Sequence, residues 1–265
     1  MEKVTAENVY YLEDAEVVLT GKENYQWFGY DALCTKDGTL VVSSPGKRTA
    51  LDEQSAGAVY GYDIKTKEVK FALESTEDQT KFGLSLSYNP EKNLLAVGAP
   101  ARNYGLYMYH AGAAFIYDLG SSNLTFANPR AILYSGDRGS RFGKRLLWVN
   151  SEDLVISAPS YTTYNTVGVS NEQGIVYYFS RVDGLNGQYS NSWATSTFFT
   201  EEAGCRHGDT LGFSHAFNRI LVGSPFCHNY PQQDGFGGEQ RIAGRLYFFN
   251  GLSTPHNERE SLFLA

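Results

Sequence analysis

The chain predicts an all-β fold, a β-propeller of four-stranded blades, from three elements that recur together four times in the same order. The first is an aromatic residue or leucine beside glycine: Phe28-Gly29, Phe82-Gly83, Phe142-Gly143 and Leu211-Gly212. The second is an apolar run ending in two small residues and proline: Ser43-Ser44-Pro45, Gly98-Ala99-Pro100, Ser157-Ala158-Pro159 and Gly223-Ser224-Pro225. The third is a glycine opening an aromatic strand, at Gly57, Gly112, Gly174 and Gly244. Self-similarity at this period marks a repeat architecture, and four short strands per repeat around an axis describe a propeller.

Within each repeat the elements follow in order. In the second, Phe82 to Tyr88 alternates as a first strand, and Asn89-Pro90-Glu91-Lys92-Asn93 supplies turn chemistry. Leu94 to Gly98 is a continuous apolar run suited to a strand buried on both faces. Gly112 to Asp118 forms the third strand and Arg130 to Tyr134 the fourth. In the first repeat Lys36-Asp37-Gly38 marks the same first turn. No window carries a long 3.6-residue apolar period, so almost no helix is expected.

The separation of first aromatic and proline is 17, 18, 17 and 14 residues, whereas later connections grow along the chain. Insertions settle in loops, so Tyr161 to Gln173, Arg181 to Ser192 and Cys227 to Ala243 read as surface loops. The repeats span 28–75, 82–136, 142–204 and 211–265 of a single propeller region. Residues 8–20 read as the third and fourth strands of an earlier blade, with Ser261 to Leu264 as the last fourth strand. About four and a half blades then form an open part of a larger, seven-bladed propeller.

Composition narrows the function classes. A net charge of −7 argues against nucleic acid, which needs a basic footprint. No apolar run reaches the roughly 18 residues of a transmembrane helix, and the amino terminus lacks the basic-then-apolar order of a signal peptide.

The Phe-Gly and Gly-Ala-Pro elements resemble the FG-GAP repeats of integrin α-chain propellers and the C-terminal repeats of glycosylphosphatidylinositol-specific phospholipase D. The second repeat matches best, and the fourth departs most, with Leu211 for phenylalanine and Ser224 for alanine. The integrin calcium loop between the first two strands alternates Asp or Asn. Here Thr35 to Gly38, Tyr88 to Asn93, Asn150 to Asp153 and Phe217 to Arg219 lack alternating carboxylates, so integrin-like calcium binding is not expected. The resemblance is nearer to the phospholipase D family, where a separate zinc-dependent domain performs hydrolysis. It implies an extracellular glycoprotein region that recognises a protein or glycan or acts as a scaffold, without a cofactor. The missing blades or catalytic domain of a parent protein become its partners. An integrin-like adhesion propeller and an enzyme with its site in the last-repeat loops are the alternatives.

Cys205, His207, Asp209, His215, Cys227 and His228 cluster in the last repeat. They fit a zinc site poorly by spacing, a Cys205–Cys227 disulfide across the strand-one and strand-two hairpin, or free thiols and loop histidines. Asp183-Gly184-Leu185-Asn186-Gly187 has too few carboxylates for calcium and reads as a turn, and Gly235 to Gly238 reads as a flexible loop. No catalytic residue set stands out. Asn123-Leu124-Thr125 is a glycosylation sequon. Tyr104, Tyr107, Tyr109, Tyr161 and Tyr164 occupy two connections between second and third strands, where tyrosines can form a contact surface.

Overall fold

The computed structural model describes residues 18–48, 55–162, 164–165, 168–169, 172–200, 204–229, 241–242, 244–250 and 260–261. Within them the architecture is all-β, with two single 3-10 turns at Val182–Gly184 and Asn191–Trp193. Four sheets, each built on four antiparallel strands, follow one another along the chain, and the second gains a fifth strand. The first holds β1 (Ala32–Cys34), β2 (Thr39–Ser44), β3 (Ala58–Asp63) and β4 (Val69–Glu74). The second holds β5 (Ser85–Asn89), β6 (Leu94–Ala99), β7 (Ala113–Asp118) and β8 (Ala131–Tyr134). In the third, β9 (Leu146–Trp148), β10 (Leu154–Ala158), β13 (Ile175–Phe179) and β15 (Ser196–Phe199) pair in that order. The fourth joins β16 (Thr210–Ser214), β17 (Arg219–Ser224), β20 (Arg245–Asn250) and β21 (Glu260–Ser261).

The apolar runs occupy the second strands, and each signature proline directly follows one: Pro45 after β2, Pro100 after β6, Pro159 after β10 and Pro225 after β17. Proline has no donor, so it fits where the ladder ends. Every residue of β6 and β10 is buried. Their alternate side chains serve different neighbours. Leu95, Val97 and Ala99 join Val41, Val59 and Leu73 of the first sheet. Leu94 and Ala96 join Leu154, Ile156 and Ala158 of the third. Val155 and Val176 meet Ile220 and Val222 of the fourth. The core is therefore a series of layers between successive sheets, and a strand between two such layers must be apolar on both faces.

The first strands lie beside one another, linked across sheets by hydrogen bonds. Leu86 N donates to Asp31 Oδ2 at 2.9 Å, Trp148 N to Ser87 Oγ at 3.1 Å and Arg145 Nε to Asp209 O at 3.2 Å.

The signature turn docks on the preceding repeat. Phe82 N donates to Ala56 O, and Gly83 N crosses to Gly98 O in its own sheet; Phe142 N and Gly143 N do the same to Ala111 O and Ser157 O. Gly57 and Gly112 pair in parallel bridges with Phe82 and Phe142. At both glycines φ is positive, and a Cβ would overlap the carbonyl of the docked phenylalanine. Glycine is required there by backbone conformation and by close approach together.

In the fourth repeat the structure corrects the assignment of Leu211-Gly212. Those residues lie inside β16, paired with Val222 and Leu221. The equivalent turn is His207-Gly208: His207 N donates to Gln173 O and Gly208 N to Gly223 O. Gly208 has φ +90°, beside +89° and +86° at Gly83 and Gly143, and Gly174 receives His207 as Gly57 receives Phe82. The His207 ring stands edge-on to Tyr247 and Phe249 at 5.0 and 5.9 Å, as Phe82 does to Phe115 and Tyr117 at 5.3 and 6.2 Å. A flat ring is what the site needs, and histidine supplies one. The fourth repeat thus begins before 211, and the separation from this ring to Pro225 becomes 18 residues in place of 14.

The connections differ from simple loops. Residues 164–169 and 228–242 contain two-stranded ribbons, β11 (Tyr164–Asn165) with β12 (Gly168–Val169), and β18 (His228–Asn229) with β19 (Arg241–Ile242). The segment after β13 runs along the surface but is anchored rather than free. Val182 is fully buried in the layer between second and third sheets, and β14 (Gly187–Ser190) pairs in parallel with β8 as a fifth strand. Arg130 Nε donates to Leu185 O, and Lys92 pairs with Asp183 at 2.9 Å, so the Asp183 to Gly187 turn is held by its neighbours. Residues 18–20 form no strand; residues 8–17, Gly235 to Gly238 and Leu262 to Leu264 lie outside the described residues.

Gly112→Ala should destabilise the protein well beyond Gly38→Ala. Gly38 also has positive φ (+79°) but open space around its Cβ position, so it suffers only the left-handed cost of about 1–2 kcal/mol. Equal losses in chemical denaturation would remove close approach as the reason for Gly112.

Candidate functional site

The reactive cluster of the last repeat is dispersed by the fold. Cys205 and Cys227 form a disulfide, with Cα atoms 4.1 Å apart. Cys205 occupies the position of Thr80 and Ser140, two residues before each turn ring. Those hydroxyls donate to Ala56 O at 2.6 Å and Ala111 O at 2.8 Å. Cys227 takes the place of Arg102 and Tyr161, two residues beyond the signature proline; all three carbonyls accept the N–H of the glycine that precedes the third strand. The bridge therefore joins the residue before the turn to the exit of the second strand in its own repeat, where the second and third repeats have Ala101 N donating to Thr80 O and Ser160 N to Ser140 O. His207 is buried, its Nδ1 2.8 Å from Ser224 Oγ. His215 stands exposed beyond the opposite end of β16, against Phe213. The side chain of His228 lies outside the described residues. Among the described residues no three His, Cys, Asp or Glu converge as metal ligands.

The first turns have their oxygens engaged in closing the chain. Asn89 Oδ1 accepts from Glu91 N and Lys92 N, and Asn150 Oδ1 from Glu152 N and Asp153 N. Asp153 accepts from Tyr178 OH at 2.6 Å, Asn150 Nδ2 at 2.7 Å and Arg181 N at 3.0 Å. The hydroxyl of Thr35, then Lys70 Nζ, hold the Asp37 carboxyl well below the usual carboxylate range. Asp37, Thr39, Lys70 and Phe71 border a depression of about 250 Å³ whose far wall is Leu119, Ser121, Ser122 and Leu124. Asn123 of the sequon, between Ser122 and Leu124 of that wall, is exposed.

The five candidate tyrosines separate into different environments. Tyr104 stacks on Tyr134 with ring centroids 4.1 Å apart. Tyr161 packs against the layer between second and third sheets, and burial pushes its hydroxyl pKa up. Tyr164 lies on β11, but its side chain is outside the described residues. Tyr107 and Tyr109 are exposed, beside Leu106. These three crown a turn closed by Tyr104 N donating to Met108 O at 3.0 Å.

Beside this turn lies a basic segment that the tyrosine pattern alone did not reveal. Gly139 N donates to Tyr109 O at 2.8 Å and Arg141 N to His110 O at 3.1 Å; the Arg138 guanidinium sits over the Tyr109 ring at 5.6 Å. Arg138, Arg141, Lys144 and Arg145 follow one another without a carboxylate. Burial, then the charge of Arg145, lowers the Lys144 ammonium from its ordinary value. Four cations in eight residues of an acidic chain were the signal available in the sequence.

No protein-family model matches the chain. It is similar to phosphatidylinositol-glycan-specific phospholipase D of Homo sapiens, 27% identical over 80% of this chain and 30% of that protein. The same enzyme from Rattus norvegicus is 25% identical over 76% of this chain and 29% of its own length. That from Mus musculus is 26% identical over 68% and 24%. The similarity covers most of the chain, which spans under a third of the length of these curated relatives.

Replacing Cys205 and Cys227 together with serine should lower stability by about 3 kcal/mol, the chain-entropy effect expected for a loop of this size. The separation is 22 residues. Denaturant unfolding of wild type with and without reductant checks it; no response to reductant and no loss in the double variant would deny the bridge a stabilising role.

Proposed function

We propose that the chain is a non-catalytic propeller region of a glycosylphosphatidylinositol phospholipase D-like protein, serving recognition or scaffolding. The observation that carries this reading is the docking of each signature turn on the preceding sheet, at Phe82, Phe142 and His207, with the first strands side by side. Four-stranded sheets repeated with their first strands side by side are what a propeller, built by radial repetition around a central axis, requires. The four sheets are then FG-GAP-like blades, and similarity to a minor part of the phospholipase leaves its chemistry to the remainder of such a protein. Against the alternative of an active site in the last-repeat loops, three of its six candidates are otherwise occupied: Cys205 and Cys227 are joined, and His207 is packed against Tyr247 and Phe249.

The purified chain should release no product from a detergent-solubilised glycosylphosphatidylinositol-anchored protein. Turnover that survives repurification and disappears in His215→Ala would overturn the non-catalytic reading; His215 is exposed, so its loss leaves the core intact.

We infer further that the blades form an open arc of a larger ring. Closure by residues 8–20 beside β20 would need the edge that β21 occupies, where Tyr247 pairs with Ser261 and Phe248 with Glu260. An open edge invites association. Small-angle scattering should record an elongated or self-associating species, and a compact monodisperse monomer would refute the arc.

A further inference from the structure

We propose that the turn Tyr104–His110 and the adjoining segment Arg138–Arg145 form a docking surface for an anionic lipid membrane. This deepens the recognition role above by naming its partner class. At the apex Leu106 is 80% and Tyr107 79% exposed, with Tyr109 beside them. Large apolar side chains held clear of the protein are those that enter the acyl boundary, and tyrosine belongs at the headgroup level beneath it. The turn is not a loose strand of chain. Tyr104 is stacked on Tyr134, His110 N donates to Asn103 Oδ1 at 2.9 Å, and Gly139 N holds the Tyr109 carbonyl. The apex is thus presented in a fixed direction, and ordering it costs little on binding.

Charge identifies the occupant. The whole chain carries −7, yet no carboxylate occurs from 101 to 117 or from 138 to 151. Arg138 and Arg141 are exposed beside the apex, and Lys144 and Arg145 follow. Among the neighbouring acids, Glu77 accepts from Arg102 Nη2 at 2.8 Å and Glu172 pairs with Arg206 at 3.5 Å, so their charges are matched, while Asp137 is turned to Asn191 Nδ2 at 2.7 Å. Asp209 lies behind Arg145, which donates to its carbonyl. An apolar apex flanked by the exposed Arg138 and Arg141 complements an acyl boundary beneath anionic headgroups. A neutral glycan would supply hydroxyls and no negative charge for these arginines, and an anionic one would leave the apolar apex without a partner.

The full chain should co-sediment with phosphatidylcholine vesicles containing about one-third phosphatidylserine, less with phosphatidylcholine alone, and less as salt rises. Leu106→Asp with Tyr107→Asp should reduce binding at least tenfold while leaving the melting curve unchanged, because both side chains are exposed. Arg138→Gln with Arg141→Gln should reduce it about 25-fold, roughly fivefold for each charge. Absence of binding to the anionic vesicles would overturn the proposal. Binding that follows charge but ignores the apex pair would assign the surface to a soluble polyanion or acidic protein and overturn the lipid assignment. Neither result bears on the hydrolysis assay, which tests the family reading separately.

Discussion

The contact on which the rest of the structure depends is the backbone-to-backbone approach between the glycine before each third strand and the ring-bearing residue of the next turn. Gly57, Gly112 and Gly174 receive Phe82, Phe142 and His207 at a separation that admits no Cβ. This approach orients one sheet against the next before any side chain is counted. The side chains then follow from it. The turn ring falls against two aromatics of its own third strand, edge-on in each case except Phe142 with Tyr177, which is tilted; the residue before the ring adopts positive φ, at Lys81, Arg141 and Arg206. A non-glycine residue in that conformation is uncommon and is held here by its surroundings, since each N–H reaches the carbonyl of the preceding repeat.

The repeats were legible because this constraint selects glycine and proline, whose backbone requirements are visible in sequence. The fourth turn was obscured because the constraint is on ring shape and not on residue type. His207-Gly208 meets it, while Leu211-Gly212 imitates the written motif from inside a strand. The spacing of 14 residues from Leu211 to Pro225, against 17 or 18 in the other repeats, marks Leu211 as displaced from the turn, since paired strands cannot shorten without changing register. β14 left no trace at all. Gly187-Gln188-Tyr189-Ser190 has no apolar alternation, and its pairing with β8 uses the backbone, anchored by Val182 far from any motif.

The candidate site was legible in part for a related reason. Residue type marked five tyrosines, but exposure depends on what each side chain meets. Tyr134 meets Tyr104 and the core meets Tyr161, which leaves Tyr107 and Tyr109 outermost among those whose side chains are described. Net charge concealed the neighbouring cations, because −7 is a sum over the chain and Arg138 to Arg145 is a local departure from it. The reactive cluster misled in the opposite direction. Its members are close in sequence, yet β16 carries His215 to the far end of the sheet from His207.

The disulfide and the contact surface express the same division within a repeat. Two residues before each turn ring, a side chain ties the turn to its surroundings: Thr80 and Ser140 through a hydrogen bond, Cys205 through a covalent one. A hydrogen bond of this kind contributes about 1 kcal/mol and a bridge about 3, and the covalent tie is found in the repeat whose ring is His207. The connections between second and third strands start just beyond this fastened junction. They are free to lengthen, as β11–β12 and β18–β19 do, or to project, as Leu106 and Tyr107 do. Their roots remain tied to the turns, Tyr109 through Gly139 and His110 through Arg141. Rigidity at the turn is what allows an exposed connection to hold a direction, and a recognition surface can vary there without disturbing how the sheets pack.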